Sequence, residues 1–290
     1  MVPASLAWIR SNPWGKDMYV SGLMRGKVVL VTGAARGQGR EHVLRMAGEG
    51  ADVIAVDLCA TLPGVAYASP EPTDLDTTVA LAKESGQRIV PLVADVRDLA
   101  VLRDEVDGAV EELGRLDAVV ANAGICIPRA WDEVTEEIFR DTMDVNVTGT
   151  WNTVMATAPH LVTAGGGSIV LMSSSAGLKV QPFMIPYTTS KFAVRGMAKA
   201  FAAELARFGI RVNSVHPTGV DTAMGSRAML TQVAKASMAD PRLRGMLVNM
   251  QPVEGISVED VANAVLFLVS DASRHVTAHA MAVDAGVSEF

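Results

Sequence analysis

Between an apolar run at 28–32 and an amphipathic stretch at 39–49 the chain reads Thr32-Gly33-Ala34-Ala35-Arg36-Gly37-Gln38-Gly39. Glycines at a strand-to-helix junction let the backbone turn tightly and approach a ligand closely, and the helix that follows favours a negative charge at its N-terminus. The turn is therefore suited to cradle a pyrophosphate, with Gly33, Arg36, Gly37, Gln38 and Gly39 as the binding candidates. The spacing is GxxxGxG and departs from the GxGxxG of the common dinucleotide fingerprint.

From Lys27 onward short apolar runs alternate with amphipathic stretches, the pattern of strand, helix, strand and a mostly parallel sheet. Strands are expected at 28–32, 52–57, 89–93, 118–121, 168–173, 211–216 and 281–283. Helices are expected at 39–49, 99–113, 136–164, 189–208 and 258–270. Right-handed crossovers between such strands give an α/β fold, a single doubly wound, Rossmann-type domain with a seven-stranded parallel sheet flanked by helices. Residues 26–290 contain no internal repeat or low-complexity linker, so one domain is expected there, and 1–25 read as an N-terminal arm or upstream extension.

Composition excludes several functions. With 49% apolar residues and 20% charged ones among 290, the chain can bury a sizeable core. No apolar run approaches the ~20 residues of a membrane span, and none is expected. A net charge of −7 without a basic cluster argues against nucleic acid. Cys59 and Cys126 have no metal-ligand spacing and form no CxxC pair, so no metal is expected and a reducing, cytoplasmic setting fits.

Asp57 closes the second strand, where a carboxylate can accept from the hydroxyls of an adenosine ribose and would repel a 2′-phosphate. NAD is favoured over NADP on that ground, although Arg36 could pair with such a phosphate. Asp95-Val96 and Asn122-Ala123-Gly124 follow the third and fourth strands, at the edge where open parallel sheets bind ligands. Asp95 could accept from an adenine amino group, Asn122 could tie strand ends together, and Gly124 leaves room.

The second half of the chain holds the reactive groups. In Tyr187-Thr188-Thr189-Ser190-Lys191 the tyrosine and lysine stand one helical turn apart and share a face. An ammonium there is of the right sign to bring the phenol down from its usual value near ~10. Ser173-Ser174-Ser175 ends the preceding strand, Ser174 lying 13 positions before Tyr187. His216 beside an apolar strand and ahead of Pro217 reads as structural.

Taken in order, TGxxxGxG, Asn122-Ala123-Gly124, Asn146, Ser174 and Tyr187-xxx-Lys191 resemble the short-chain dehydrogenase/reductase family over roughly 26–286. The resemblance implies hydride exchange between a nicotinamide and a secondary alcohol or its ketone. It implies Tyr187 as general acid/base, Lys191 lowering its pKa and holding the nicotinamide ribose, Ser174 binding the substrate oxygen, and Asn146 anchoring a proton-relaying water. Asn146-Val147-Thr148-Gly149 matches the family's NxxG pattern. His216-Pro217-Thr218-Gly219-Val220-Asp221-Thr222 is similar to its PGxVxT segment with one residue inserted, which implies Pro217, Val220 and Thr222 beside the nicotinamide. The terminal Val283-Asp284-Ala285-Gly286 implies a homotetramer, although His275-Val276-Thr277-Ala278 lacks the usual glycine.

Two further segments stand out. Residues 58–87 carry Pro63, Pro70 and Pro72 ahead of Thr73-Asp74-Leu75-Asp76, and read as an inserted loop followed by a TxxD-capped helix at 75–84. Such a loop could cover the adenosine. Residues 222–256 carry Met224, Met229, Met238, Met246 and Met250, side chains suited to a mobile lid over an apolar, cyclic alcohol; ordinary helix core is the alternative. With TGAARGQGR and HPTGVDT, the insertion resembles the carveol dehydrogenase-like subgroup linked to the redox peptide cofactor mycofactocin. The resemblance implies a tightly bound NAD whose electrons leave on an external carrier. Two other functions compete: an NADPH-dependent ketone reductase, and a non-catalytic dinucleotide sensor, which would have no use for Ser174, Tyr187 and Lys191 together.

Overall fold

The structure, a computed structural model, describes residues 22–289. The arm expected over 1–25 thus lies outside the described residues up to residue 21. Residues 22–25 turn back onto the chain, where the Met24 side chain is buried and its amide donates to Glu49 O at 3.1 Å.

Seven strands form one sheet: β1 (Val28–Thr32), β2 (Asp52–Asp57), β3 (Ile89–Val93), β4 (Ala118–Ala121), β5 (Gly167–Met172), β6 (Ile210–Pro217) and β7 (Ala280–Val283). Their order is β3-β2-β1-β4-β5-β6-β7 and every neighbouring pair is parallel. This is the doubly wound arrangement expected from the sequence. The order reverses between β1 and β4, so the crossovers from these two strands leave on opposite faces and open a crevice at their carboxyl ends.

Two apolar layers hold the sheet, and the period of two along each strand divides them. Val29 and Val31 of β1 face Val43 and Met46 of α1 (Gly37–Gly48), Val79 of α2 (Pro72–Lys83) and Val265 of α8 (Val258–Val269). Val28 and Leu30 face Leu102 and Val106 of α3 (Leu99–Leu113), Val154 of α5 (Gly149–Thr163) and Val194 of α6 (Ile185–Leu205). Each such side chain, fully buried, stabilises the fold by about 1.5–3 kcal/mol. Two shorter helices complete the described chain, α4 (Glu136–Met143) and α7 (Arg227–Ala236).

Three expectations are corrected. The helix expected at 136–164 is α4 and α5 joined through a π-helical turn, Asp144–Thr148. The wider turn surrounds Asn146, whose side chain bonds out of the helix to both backbone groups of Ile125. The helix expected from 189 begins at Ile185, because Pro186 presets the first-turn φ, and Tyr187 therefore sits in the opening turn. The helix expected at 75–84 begins at Pro72; Asp74, not Asp76, caps it by accepting from the Glu71 amide at 2.9 Å.

His42 lies on the buried face of α1 with neither ring nitrogen bonded, and burial pushes its pKa down to about 3. The unfolded imidazole titrates near ~6.5. The folded value is the lower one, so the stability that the neutral ring contributes is complete above about pH 6.5 and is lost as pH falls toward 3. At pH 5 the loss is about 2 kcal/mol. Denaturant melts at pH 7.5 and pH 5 should show that decrement in the native protein and lack most of it in His42→Leu; the same decrement in both would place the acid sensitivity elsewhere.

Candidate active site

The crevice beyond β1 and β4 is a solvent-open cavity lined by the glycine-rich turn and the ends of β2, β3 and β4. Its floor is backbone. A side chain on Gly39 would run into the Gly33 carbonyl, and one on Gly33 would lie 2.9 Å from Asn122 Nδ2, so both positions require glycine. Gly37 adopts φ +54° and a Cβ there would meet Thr222 at 3.2 Å. Asn122 Nδ2 donates to Thr32 O at 2.9 Å, while the Asn122 and Ala123 amides both donate to the Thr32 hydroxyl. These bonds tie the ends of β1 and β4 together across the crevice.

Asp57 enters the same cavity from the end of β2. One carboxylate oxygen accepts from the Ala35 amide and the other from the Cys59 amide, both at 2.9 Å, so the negative charge is fixed in place. Arg36 lines the same cavity, where its guanidinium stands over the Tyr67 ring, 5.7 Å from the centroid. Asp95 also lines the cavity, but its carboxylate is clasped by Arg97 at 2.6 Å. Burial raises the Asp95 pKa, and the Arg97 hydrogen bonds outweigh it and hold the group below its usual value. Val96 is buried beside Gly149, and its carbonyl accepts from Asn152 at 2.9 Å.

Ser174, Tyr187, Lys191 and Asn146 converge on one end of this crevice. Lys191 is 4% exposed; its ammonium donates to Met172 O at 2.9 Å and lies 5.5 Å from the Tyr187 ring centroid. Tyrosine and lysine thus face the same side. Burial lowers Lys191 to about 8. The expected downward shift of the phenol is not met: burial raises Tyr187 above its usual value, the buried Cys126 adds to this, and a hydrogen bond with Ser174 opposes it. Asn146 Oδ1 accepts from the Ile125 amide at 2.8 Å, and Nδ2 donates to Ile125 O and Ser190 Oγ. The side chain is used up in holding the loop after β4, and Gly124, packed 3.2 Å from Asn146 Oδ1 at its missing Cβ, lets that loop pass.

His216 is structural. Its Nδ1 lies 2.9 Å from Ser174 O and its Nε2 2.8 Å from Ser214 Oγ, and burial lowers its pKa to about 4, so the neutral ring fixes the serine strand end. Beside it, Pro217 O accepts from Ser174 Oγ at 3.4 Å.

A second cavity adjoins the first at Gln38, Thr222 and Met224. Ser174 and Tyr187 stand at its polar end, and Pro217 and Val220 line it. Of the five methionines expected to form a lid, only Met224 and Met229 reach this cavity. Met238 and Met250 are 74% and 55% exposed, and Met246 is half-buried, because 237–256 runs over the surface.

Three residues of the site escaped the sequence reading. Cys126 is buried against Met184 and Met229 beside Tyr187, its thiol pushed up to about 12 by burial. Gln181 lines the second cavity and donates to Ser175 Oγ at 2.7 Å. Tyr67 lies in the proline-rich stretch ahead of α2, which covers the first cavity with Leu62 and Val65 packed on Ile125, Ile127 and Val145. Prolines flagged that stretch, and its position after Asp57 suggested a cover for the adenosine, but nothing in its spacing singled out Tyr67. Among the described residues no cluster of His, Cys, Asp or Glu could hold a metal, and no helix is long and apolar enough to cross a membrane.

A parallel sheet with a glycine-floored crevice, and a serine, tyrosine and lysine at its end, defines a dinucleotide-dependent oxidoreductase. The model of the short chain dehydrogenase family matches residues 27–232, and the chain belongs to the short-chain dehydrogenase/reductase family. A putative short-chain type dehydrogenase/reductase of Mycolicibacterium smegmatis is 45% identical over 92% of this chain and 99% of its own. The (-)-trans-carveol dehydrogenase of Rhodococcus erythropolis is 40% identical over 91% and 98%. A short chain dehydrogenase from Mycobacterium paratuberculosis, crystallised bound to NAD, superposes with a TM-score of 0.92 at 54% identity, covering 93% of this chain and all (100%) of that one. Carveol dehydrogenase from Mycobacterium avium, in complex with NAD, gives 0.86 at 42%, with 93% and 100% covered.

Proposed function

We propose that this protein is an NAD-dependent alcohol dehydrogenase acting on a secondary, apolar or cyclic alcohol and, in reverse, on its ketone. The observation that carries the reading is the junction of the two cavities. A cleft built for a dinucleotide ends where Ser174 and Tyr187 open onto an apolar pocket walled by Cys126, Met184, Met224 and Met229. Among the described residues no carboxylate or ammonium lines that pocket, which suits an uncharged substrate.

The cleft fits NAD. Gly33, Gly37 and Gly39 leave a backbone cradle, and the fixed carboxylate of Asp57 stands where an adenosine ribose would offer hydroxyls and where a 2′-phosphate would meet a like charge. Arg36 lines the cleft as well, with its guanidinium on the Tyr67 ring. Bound there, NAD supplies the hydride acceptor. Ser174 Oγ binds the substrate oxygen, and Tyr187 Oη, having first given up its own proton to the relay, takes the hydroxyl proton as a phenolate while the carbinol carbon gives up its hydride. Burial alone holds the phenol high, so the transfer requires positive charge beside it, and the Lys191 ammonium is the group in reach. The carbonyl of Asn146, in the π turn, accepts from Thr150 Oγ1 at 2.7 Å and has a second lone pair for the relay water that the family likeness implies.

The covering segment ahead of α2 supports a second part of the reading: NAD stays in the cleft through turnover and is reoxidised in place by an external electron carrier, of which the mycofactocin type is one. Its apolar anchors on Ile125, Ile127 and Val145 hold it against the cleft, where it would slow the departure of a dinucleotide.

Tyr187→Phe should retain NAD yet lower turnover of a secondary alcohol about 10²-fold or more. Turnover within a few-fold of the native enzyme would remove Tyr187 from the mechanism. Separately, protein dialysed exhaustively should yield close to one nicotinamide per chain on denaturation and should turn over with an artificial electron acceptor but not with added NAD alone. An empty protein that cycles on free NAD would refute retention without touching the assignment of Tyr187.

A further inference from the structure

The loop that follows β4, residues 122–130, has no regular secondary structure, yet it forms walls of both cavities. Its position is imposed by side chains from elsewhere. Thr32 accepts the Asn122 and Ala123 amides, Asn146 accepts the Ile125 amide, and Gln232 of α7 accepts from the Arg129 guanidinium at 2.9 Å. At Cys126, the residue beside Tyr187 in the apolar wall, the amide donates to Tyr67 Oη at 3.4 Å.

Tyr67 arrives from the far side of the dinucleotide cleft. It is 9% exposed, its ring lies under the Arg36 guanidinium of the glycine-rich turn, and Leu62 and Val65 of the same stretch pack on Ile125 and Ile127. One side chain thus spans the cleft, with the pyrophosphate turn at its ring and the substrate wall at its hydroxyl. Burying a phenol without a partner for its oxygen is costly, and a phenylalanine would serve the ring contact as well. The hydroxyl is therefore explained by the Cys126 amide.

We propose that Tyr67 is a positioning residue that pins the Cys126 wall of the alcohol pocket and, through its ring on Arg36, couples the shape of that pocket to closure of the covering segment over the cofactor. The proposal rests on the alcohol dehydrogenase reading above. It predicts that the two ends of Tyr67 can be separated by substitution. Removal of the hydroxyl frees the wall alone, whereas removal of the ring frees the wall and the cover together.

The test uses Cys59→Ser protein, in which Cys126 is the single remaining thiol, with and without Tyr67→Phe or Tyr67→Leu. Carveol and cyclohexanol serve as probe alcohols, with an artificial electron acceptor. Tyr67→Phe should raise KM for both by about fivefold, more than it lowers kcat, while bound nicotinamide leaves at the parent rate. Tyr67→Leu should release nicotinamide at least about tenfold faster and expose Cys126 to a small thiol reagent at least about tenfold faster than in the parent. A Tyr67→Phe enzyme with the parent's KM values, or a Tyr67→Leu protein with the parent's labelling and release rates, would overturn the proposal. If the parent oxidises neither alcohol, the dehydrogenase reading fails on that arm, and Cys126 labelling in nicotinamide-free protein still decides whether Tyr67 pins the wall.

Discussion

The Lys191 ammonium is held out of water beside the Met172 carbonyl, the Tyr187 ring and the Cys126 thiol, none of them an anion at neutral pH. A cation in such a seat is costly, and burial accordingly brings it down to about 8. The surrounding architecture exists to make this seat possible. Strand β5 ends so that Met172 O faces the helix α6, Gly177 lets the backbone of the Ser175 turn pass against Lys191, and Ser173 Oγ donates to the Lys191 carbonyl at 2.8 Å. On its own helix face, with the ring centroid 5.5 Å away, stands Tyr187.

The fold was legible from the sequence because its signals are local. Val28, Leu30 and Ile54 alternate faces with Val29, Val31 and Val53, and such periodicity survives in any parallel sheet covered on both sides. The pairing of Tyr187 with Lys191 was legible for the same reason, since one helical turn determines it. The direction of the phenol's shift was not. It depends on burial among residues far away in the chain, Cys126, Met184 and Met229, and on the electrostatics of the Cys126 thiol and the Tyr67 phenol, none of which any spacing encodes. The π turn at Asn146 was equally hidden, because its cause is a bond to Ile125, 21 positions away.

The methionines and the covering segment teach a related lesson about composition. Met238 and Met250 share a stretch with Met224 and Met229, yet the first two face solvent and the last two meet the pocket, a difference set by where α7 ends. Segment 58–71 has no helical or strand period; its position after Asp57 suggested a cover for the adenosine, and its tertiary anchors, Leu62, Val65 and Tyr67, show how it packs on the crevice. Function in this chain thus rests on a readable scaffold with unreadable loops laid across it, as is general where binding residues ride on connections between rigid elements.

The proposed reaction is direct transfer of hydrogen from a carbinol carbon to the nicotinamide end, beside Tyr187, of a dinucleotide whose adenosine end would meet Asp57. Carveol carrying deuterium at the carbinol carbon, incubated with the nicotinamide-loaded enzyme for a single turnover, followed by mass spectrometry of the extracted cofactor, tests it most directly. One deuterium at the nicotinamide C4, on a single face of the ring, is the predicted result; a reduced cofactor without deuterium, formed while the alcohol is oxidised, would contradict it.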